Sequence, residues 1–336
     1  MVILINFTIV QFAPGGPVDI TLAQIRNGQN GSGEGGATKV TASKQFGYSK
    51  NLDDELTLYV KALYGFDKPV HTRFIMMIKN YLTFDLGNSY YRNVKVSDLI
   101  LEKLPVTMAL GLSSTLIIYF IAIPLGIRKA LQSGKRFDHW TTLITGLAYA
   151  LPSFLLAIIL IAIFAGDGAL SYFPIRAIVS TNWHELTIVG KITDFIWHMV
   201  LPVTTLVITG FATITMLTKN SFLEELHKQY VTTARAKGLT ESKILYGHVF
   251  RNAMLIVITG IPEVLINVLL TGALLTEIIF SLEGVGLLGY EAAINRDYPV
   301  VFGTLYIFTL ATLLANIVTD IGYVLIDPRI NFERNN

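Results

Sequence analysis

An all-α polytopic bundle of membrane-crossing helices is the fold class that this sequence predicts, on three observations. Apolar residues fill 52% of the 336 positions, and the mean hydropathy is +0.54. Charged residues make up only 15%, where a soluble domain carries about 25%. The apolar residues also run in unbroken blocks, several of which reach the roughly 20 residues that a bilayer-crossing helix needs. In hydrocarbon each backbone N–H and C=O must be satisfied within its own segment, so such blocks read as helices.

Taken in order, the chain opens with Met1–Phe12, which is apolar but too short to span and lacks the basic flank of a signal peptide. It reads as the outer half of an incomplete first span. Residues 13–106 form a long segment outside the bilayer. It starts at the chain-breaking run Ala13-Pro14-Gly15-Gly16-Pro17 and carries a low-complexity insertion over 27–36. Helical spacing within it predicts small helices over Asp53–Tyr64 and Val70–Leu82. A core of five spans is expected within 107–326, at Thr107–Ile127, Thr141–Ala165, Met199–Leu217, Met254–Ile279 and Val300–Ile326. Pro124, Pro152, Pro202 and Pro262 fall inside or at the ends of these blocks, where membrane helices tolerate them. Residues 327–336 form a short tail.

Basic residues in short loops set orientation. Loop 128–140 holds Arg128, Lys129, Lys135 and Arg136, and loop 218–253 holds Lys219, Lys228, Arg235, Lys237, Lys243 and Arg251. The alternate loops are poorer: Arg176 and Lys191 in 166–198, and Arg296 in 280–299. The rich loops are therefore predicted cytoplasmic, giving six crossings and an external 13–106 segment. Trp140, Trp183 and Trp197 sit beside span ends, where interfacial aromatics belong.

Composition excludes several function classes. There are no cysteines, so disulfides, thiolate metal sites and thiol nucleophiles are out. A net charge of +2 gives no field for nucleic acid. The six histidines show no ligand spacing, and no nucleophile elbow or phosphate-binding lysine loop is present. Gly284 to Gly289 satisfies G-x-G-x-x-G, but without the strand that a dinucleotide site requires, so a glycine-rich turn in a short re-entrant segment is expected.

Loop 218–253 is the most informative stretch. Phe222, Leu226, Tyr230 and Ala234 fall at i, i+4 spacing, which predicts one helix with an apolar stripe leaving the membrane. Gly238 should end it, and Thr240 should cap a second helix. The product is a helix-glycine-helix knuckle carrying Arg235 and Lys237, suited to a groove on a partner protein.

The run from Tyr230 to Leu239, followed by His248-Val249-Phe250-Arg251-Asn252-Ala253, resembles the EAA loop of importer-type ABC permeases. Thr232, Thr233 and Ala234 stand where the general motif has an acidic residue and two alanines, as in the peptide-permease branch. Gly87-Asn88-Ser89, Leu104-Pro105-Val106-Thr107, Ser281 to Gly289, Asp297-Tyr298-Pro299-Val300 and Asp327-Pro328-Arg329-Ile330 are similar to further signatures of that family. The resemblance implies a multi-pass permease of the bacterial inner membrane that does no chemistry itself and binds no cofactor. It would pair with a second permease subunit, with cytoplasmic ATPase subunits that bind ATP and Mg, and with a periplasmic peptide-binding protein. The docking residues it implies are Thr232, Thr233, Ala234, Arg235, Ala236, Lys237, Gly238 and Leu239.

Polar residues inside the spans complete the candidates. Glu263 and Asn267 lie four apart, as do Asn316 and Asp320, so each pair shares a helix face. Glu263, Asn267 and Asn316 are read either as lining a peptide path or as interhelical hydrogen-bond glue. Asp320 should reach water near the cytoplasmic end, and Glu277 is read as structural. The rival class is a secondary transporter with Glu263 or Asp320 coupling protons. It predicts internal repeats and broken midplane helices, and neither is visible in the sequence.

Overall fold

The computed structural model describes residues 68–92, 94–166, 170–267 and 273–326, with isolated positions 3, 4, 7, 8 and 58. The expected half-span 1–12, the helix over Asp53–Tyr64, the 27–36 insertion and the tail motif from Asp327 therefore fall wholly or almost wholly outside the described residues. Contacts divide the chain into two units, Met1–Ile100 with Gly289–Tyr306, and Leu101–Leu288 with Ile307–Asn336.

Within the first unit, α1 (Val70–Leu82) forms where the apolar spacing places it. Tyr81 packs its ring 5.0 Å from that of Tyr306, whose hydroxyl donates to the Tyr81 carbonyl at 3.1 Å. Two of the signature stretches meet here. The buried Asp297 carboxylate accepts from the Ser89 hydroxyl at 2.5 Å and from the Tyr90 amide at 3.1 Å.

The remaining helices are α2 (Val96–Leu131), α3 (Arg136–Ala150), α4 (Ser153–Phe164), α5 (Ile188–Leu226), α6 (Gln229–Ala236), α7 (Glu241–Ile244), α8 (Phe250–Thr259), α9 (Ile261–Asn267), α10 (Ala273–Ile279), α11 (Val285–Ile294) and α12 (Tyr298–Ile326). Three of them, α2, α5 and α12, are each long and apolar enough to cross a membrane. Several hydroxyls within the long helices are satisfied by their own backbone: Ser114 donates to Leu110, Thr215 to Phe211 and Thr218 to Ile214. Glycines let α2 and α5 approach closely. A Cβ on Gly126 would lie 2.8 Å from the Thr215 carbonyl oxygen, and one on Gly210 would lie 2.6 Å from Ile118.

Two expected spans are not single helices. The block 141–165 is the pair α3 and α4, bent by 96°. Proline disfavours helical geometry at the preceding residue, and here Leu151 is extended (φ −81°, ψ 120°) and α4 starts only after Pro152. The block 254–279 is divided among α8, α9 and α10. Gly260 closes α8, and Pro262, which has no N–H to offer the ladder, falls in the first turn of α9. The described residues thus contain three continuous crossings, or four with the bent pair as one, and six are not established. The glycine-rich stretch is also corrected: Gly286 and Gly289 lie inside α11 rather than in a turn.

Gly284 and Gly286 make room for Glu277 on α10, which has no exposed surface. Its carboxylate accepts from the Thr107 hydroxyl at 2.7 Å and from the Leu287 amide at 2.9 Å, while the Thr107 oxygen accepts from the Val285 amide at 2.8 Å. A Cβ at Gly284 would overlap this carboxyl group, and one at Gly286 would lie 2.8 Å from it. Glu277→Leu is therefore expected to cost about 1–3 kcal/mol for each donor left unpaired, and Glu277→Gln, which keeps a carbonyl oxygen, to cost less. Thermal unfolding of the solubilised chain checks that order.

Candidate functional site

The knuckle forms, but not as one helix continuing from the membrane. α5 stops at Leu226 instead of running through Tyr230 and Ala234. The His227 amide turns back onto the Glu224 carbonyl and the Lys228 amide onto that of Glu225, and Lys228 is extended (φ −72°, ψ 148°). Glu225 holds this break: its carboxylate accepts from Lys228 Nζ at 2.5 Å and from the Tyr230 hydroxyl at 2.7 Å. The bond to Glu225 raises the Lys228 pKa, and burial, then the same carboxylate, raises that of Tyr230. The i, i+4 stripe could not reveal the break, because its apolar residues pack inward on both sides of it.

The end of α6 follows from local sequence. Gly238 takes φ +78°, its amide donates to the Arg235 carbonyl at 3.0 Å, and the Leu239 amide donates to the Ala234 carbonyl at 3.3 Å. This is the paired 5→2 and 6→1 closure that a left-handed residue just past a helix makes. Thr240 then caps α7, accepting from the Lys243 amide at 3.5 Å. A five-residue π turn, Leu245–Val249, joins α7 to α8 and rotates Tyr246 and His248 outward.

Arg235 and Glu241 clasp α6 to α7 across the turn. Arg235 Nε lies 2.6 Å from Glu241 Oε1, and Nη2 lies 3.0 Å from Oε2, a two-pronged pairing. The guanidinium holds the Glu241 carboxyl below the usual carboxylate range.

One face of the knuckle is core. Val231, Ile244 and Val249 have no exposed surface, and Ala234 and Leu245 are also buried. They join Phe222, whose ring lies 6.0 Å from that of Phe250. Burying each valine or isoleucine contributes about 1.5–3 kcal/mol, so the knuckle is seated by its underside. The opposite face is exposed: Thr232, Thr233, Arg235, Ala236, Lys237 and Gly238 all point out, and Leu239 is half-buried. Beside it an open groove of about 560 Å³ is lined by Leu239, Ser242, Lys243, Tyr246, Gly247 and His248. Of the eight residues inferred to dock, Ala234 is turned inward and Leu239 partly so. The groove residues Tyr246 and Gly247 carried no sequence signal, since the π turn that exposes them leaves no mark in apolar periodicity.

The intramembrane candidates are placed less completely. Glu263 and Asn267 belong to α9, with side chains outside the described residues, and Asn316 and Asp320 are exposed on α12.

Two outcomes are expected. A Cβ at Gly238 would meet nothing within 4 Å, so a substitution there costs conformational strain alone. Gly238→Val should destabilise by about 1–2 kcal/mol and Gly238→Asn by much less, read by thermal unfolding. The Arg235–Glu241 clasp is present above the ordinary glutamate pKa and lost as pH falls through the lowered one. Amide exchange over 236–243 should therefore be faster in Glu241→Gln than in the native chain at pH 7, and this difference should vanish once pH falls below the lowered pKa.

Comparison with known proteins assigns the family. A profile described as "Binding-protein-dependent transport system inner membrane component" matches residues 122–332. The chain is 53% identical over 345 residues to the inner membrane ABC transporter permease protein YejB of Escherichia coli O157:H7, covering 99% of this chain and 94% of that one. It is 51% identical over 342 residues to the peptidoglycan transport system permease protein YejB of Agrobacterium fabrum, covering 98% and 93%. A third relative, the oligopeptide transport system permease protein AppB of Bacillus subtilis, is 33% identical over 270 residues, covering 80% and 83%. The chain belongs to the binding-protein-dependent inner membrane components, the multi-pass permease subunits of bacterial ABC transporters.

Proposed function

We propose that this chain forms half of the translocation pore of an ATP-driven importer of peptides or peptide-like compounds, with the knuckle 229–249 seated on a cytoplasmic ATPase. The observation that carries the reading is the knuckle's two-sidedness. Its underside is locked into the helical core, while a rigid, polar upper face and the adjoining groove are open to a partner. A segment built this way transmits a push instead of yielding to it.

Orientation rests on the basic loops, and an ion pair supports placing both of them at one end. Lys219 Nζ lies 2.7 Å and 2.8 Å from the two oxygens of Asp138, joining the 128–140 loop to the start of 218–253. That end is cytoplasmic by the excess of lysine and arginine. ATP and Mg bind the partner ATPases, which favour a closed pair when loaded. Closure biases two arrangements of the permease halves because the nucleotide binds one ATPase state far better than the other. A second permease subunit completes the pore, and a periplasmic binding protein delivers cargo. Relatives named for oligopeptide and peptidoglycan transport support cargo with a peptide backbone.

The test uses the assembled transporter. Ala236 is exposed and makes no core contact, so Ala236→Trp should leave the fold intact while lowering ATPase co-purification and ATP-driven peptide uptake by about tenfold or more, the scale of a blocked interface centre. Retention of the ATPase by this variant, or uptake that persists in ATP-depleted vesicles and follows the pH gradient, overturns the reading.

A further inference from the structure

The loop between α2 and α3 carries a surface outside the knuckle to which ATPase docking is assigned above. An open groove of about 390 Å³ is lined by Gly134, Arg136, His139, Trp140 and Leu143. Arg136 and His139 are exposed, as is Lys135 next to them. In the same loop region Arg128 stands over the Phe137 ring, 4.5 Å from its centre.

The nearby carboxylate, Asp138, is withdrawn from this surface. It is buried, accepts from Lys219 Nζ at 2.7 Å, and lies 3.5 Å from Lys129 Nζ. Lys129 has no exposed surface, and its ammonium is also held by the Thr141 and Thr142 hydroxyls at 2.9 Å and 2.8 Å. Two lysine amines thus share one carboxylate. The Gly134 amide donates to Asp138 at 3.2 Å, so this cluster directly underlies the groove.

Past the cations the surface changes abruptly. Trp140, Leu143, Ile144 and Leu147 follow at helical spacing on α3 and are 65%, 53%, 58% and 61% exposed. From rim to depth the order is cations, one interfacial indole, then bare hydrocarbon. That is the profile of one lipid leaflet, with headgroup phosphate, glycerol boundary and acyl chain. A protein partner for such a face would need a carboxylate opposite the rim and a long apolar ridge below it, whereas an anionic phospholipid carries both in one molecule.

We infer that the groove over Gly134–Leu143 is a binding site for an anionic phospholipid, its phosphate held by Arg136 and His139 and its chain laid along Trp140, Leu143 and Leu147. The bound lipid covers the positive end of α2 and α3 and completes the packing of a helix face that the chain leaves bare.

The test exploits the absence of native cysteines. The full transporter carrying Leu143→Cys, labelled there with a photoactivated cross-linker, is reconstituted in bilayers mixing phosphatidylglycerol with phosphatidylethanolamine, and adducts on this chain's own peptide are weighed. Phosphatidylglycerol should be enriched in the adduct about fivefold over its share of the bilayer, and Arg136→Glu should remove that enrichment. Arg136→Gln should give an intermediate value and serves if the charge reversal prevents assembly. Both lipids occupy both leaflets, so the result does not depend on the orientation proposed above. A cross-link to another subunit, equal capture of the two lipids, or displacement by soluble glycerol phosphate overturns the inference.

Discussion

A main chain in hydrocarbon has no water to bond to, and in this protein several interruptions of a helix come with substitutes for the missing partners. Past α10 the Leu282 amide returns to the Glu277 carbonyl, the Val285 amide finds Thr107, and the Leu287 amide finds the Glu277 carboxylate. Past α5 the His227 amide returns to the preceding turn. Past α6 the left-handed Gly238 folds two amides back onto the helix it ends. Buried carboxylates and hydroxyls are placed where the backbone needs them, which is why polar residues so costly to bury occur in a chain this apolar.

The same rule organises the knuckle. Its three short pieces, α6, α7 and the π turn, are individually too brief to hold helical form in water. They persist because their apolar faces enter the core formed with Phe222 and Phe250, and because a cap, a glycine and an ion pair close each junction. A segment stabilised from beneath can leave its upper face polar and available. This gives the exposed threonines and Lys237 a fixed position relative to the long helices, the property that the proposed contact with an ATPase would require.

Some of this was legible in the sequence and some was not, and the division follows distance along the chain. Gly238 and Thr240 were readable because a left-handed stop and an N-cap are local chemistry. The breaks at Pro152 and Gly260 were missed because a proline in a membrane segment has two outcomes. Pro124 and Pro202 sit inside continuous helices, whereas Pro152 ends one, and only packing decides. Glu225 gave no sign of its role, since its partners come within reach only after the chain turns at Lys228. The Asp138–Lys219 and Thr107–Glu277 pairs join residues far apart in sequence, and no periodicity connects them. Resemblance had marked the stretches around Thr107 and Gly284, and around Ser89 and Asp297, as noteworthy. The structure supplies the reason, since each pair of stretches shares a buried carboxylate.

The helix α5 leads directly into the knuckle. It runs 39 residues without interruption, about 58 Å at the usual rise, and only two residues separate its end from α6. A rod of that length swings its far tip through about 1 Å for each degree of rotation about the near one. Tilts too slight to disturb a single side-chain contact along the shaft therefore emerge at the tips as shifts comparable to the spacing between bonded atoms. Geometry alone makes this segment an amplifier, with no need for any part of it to unfold.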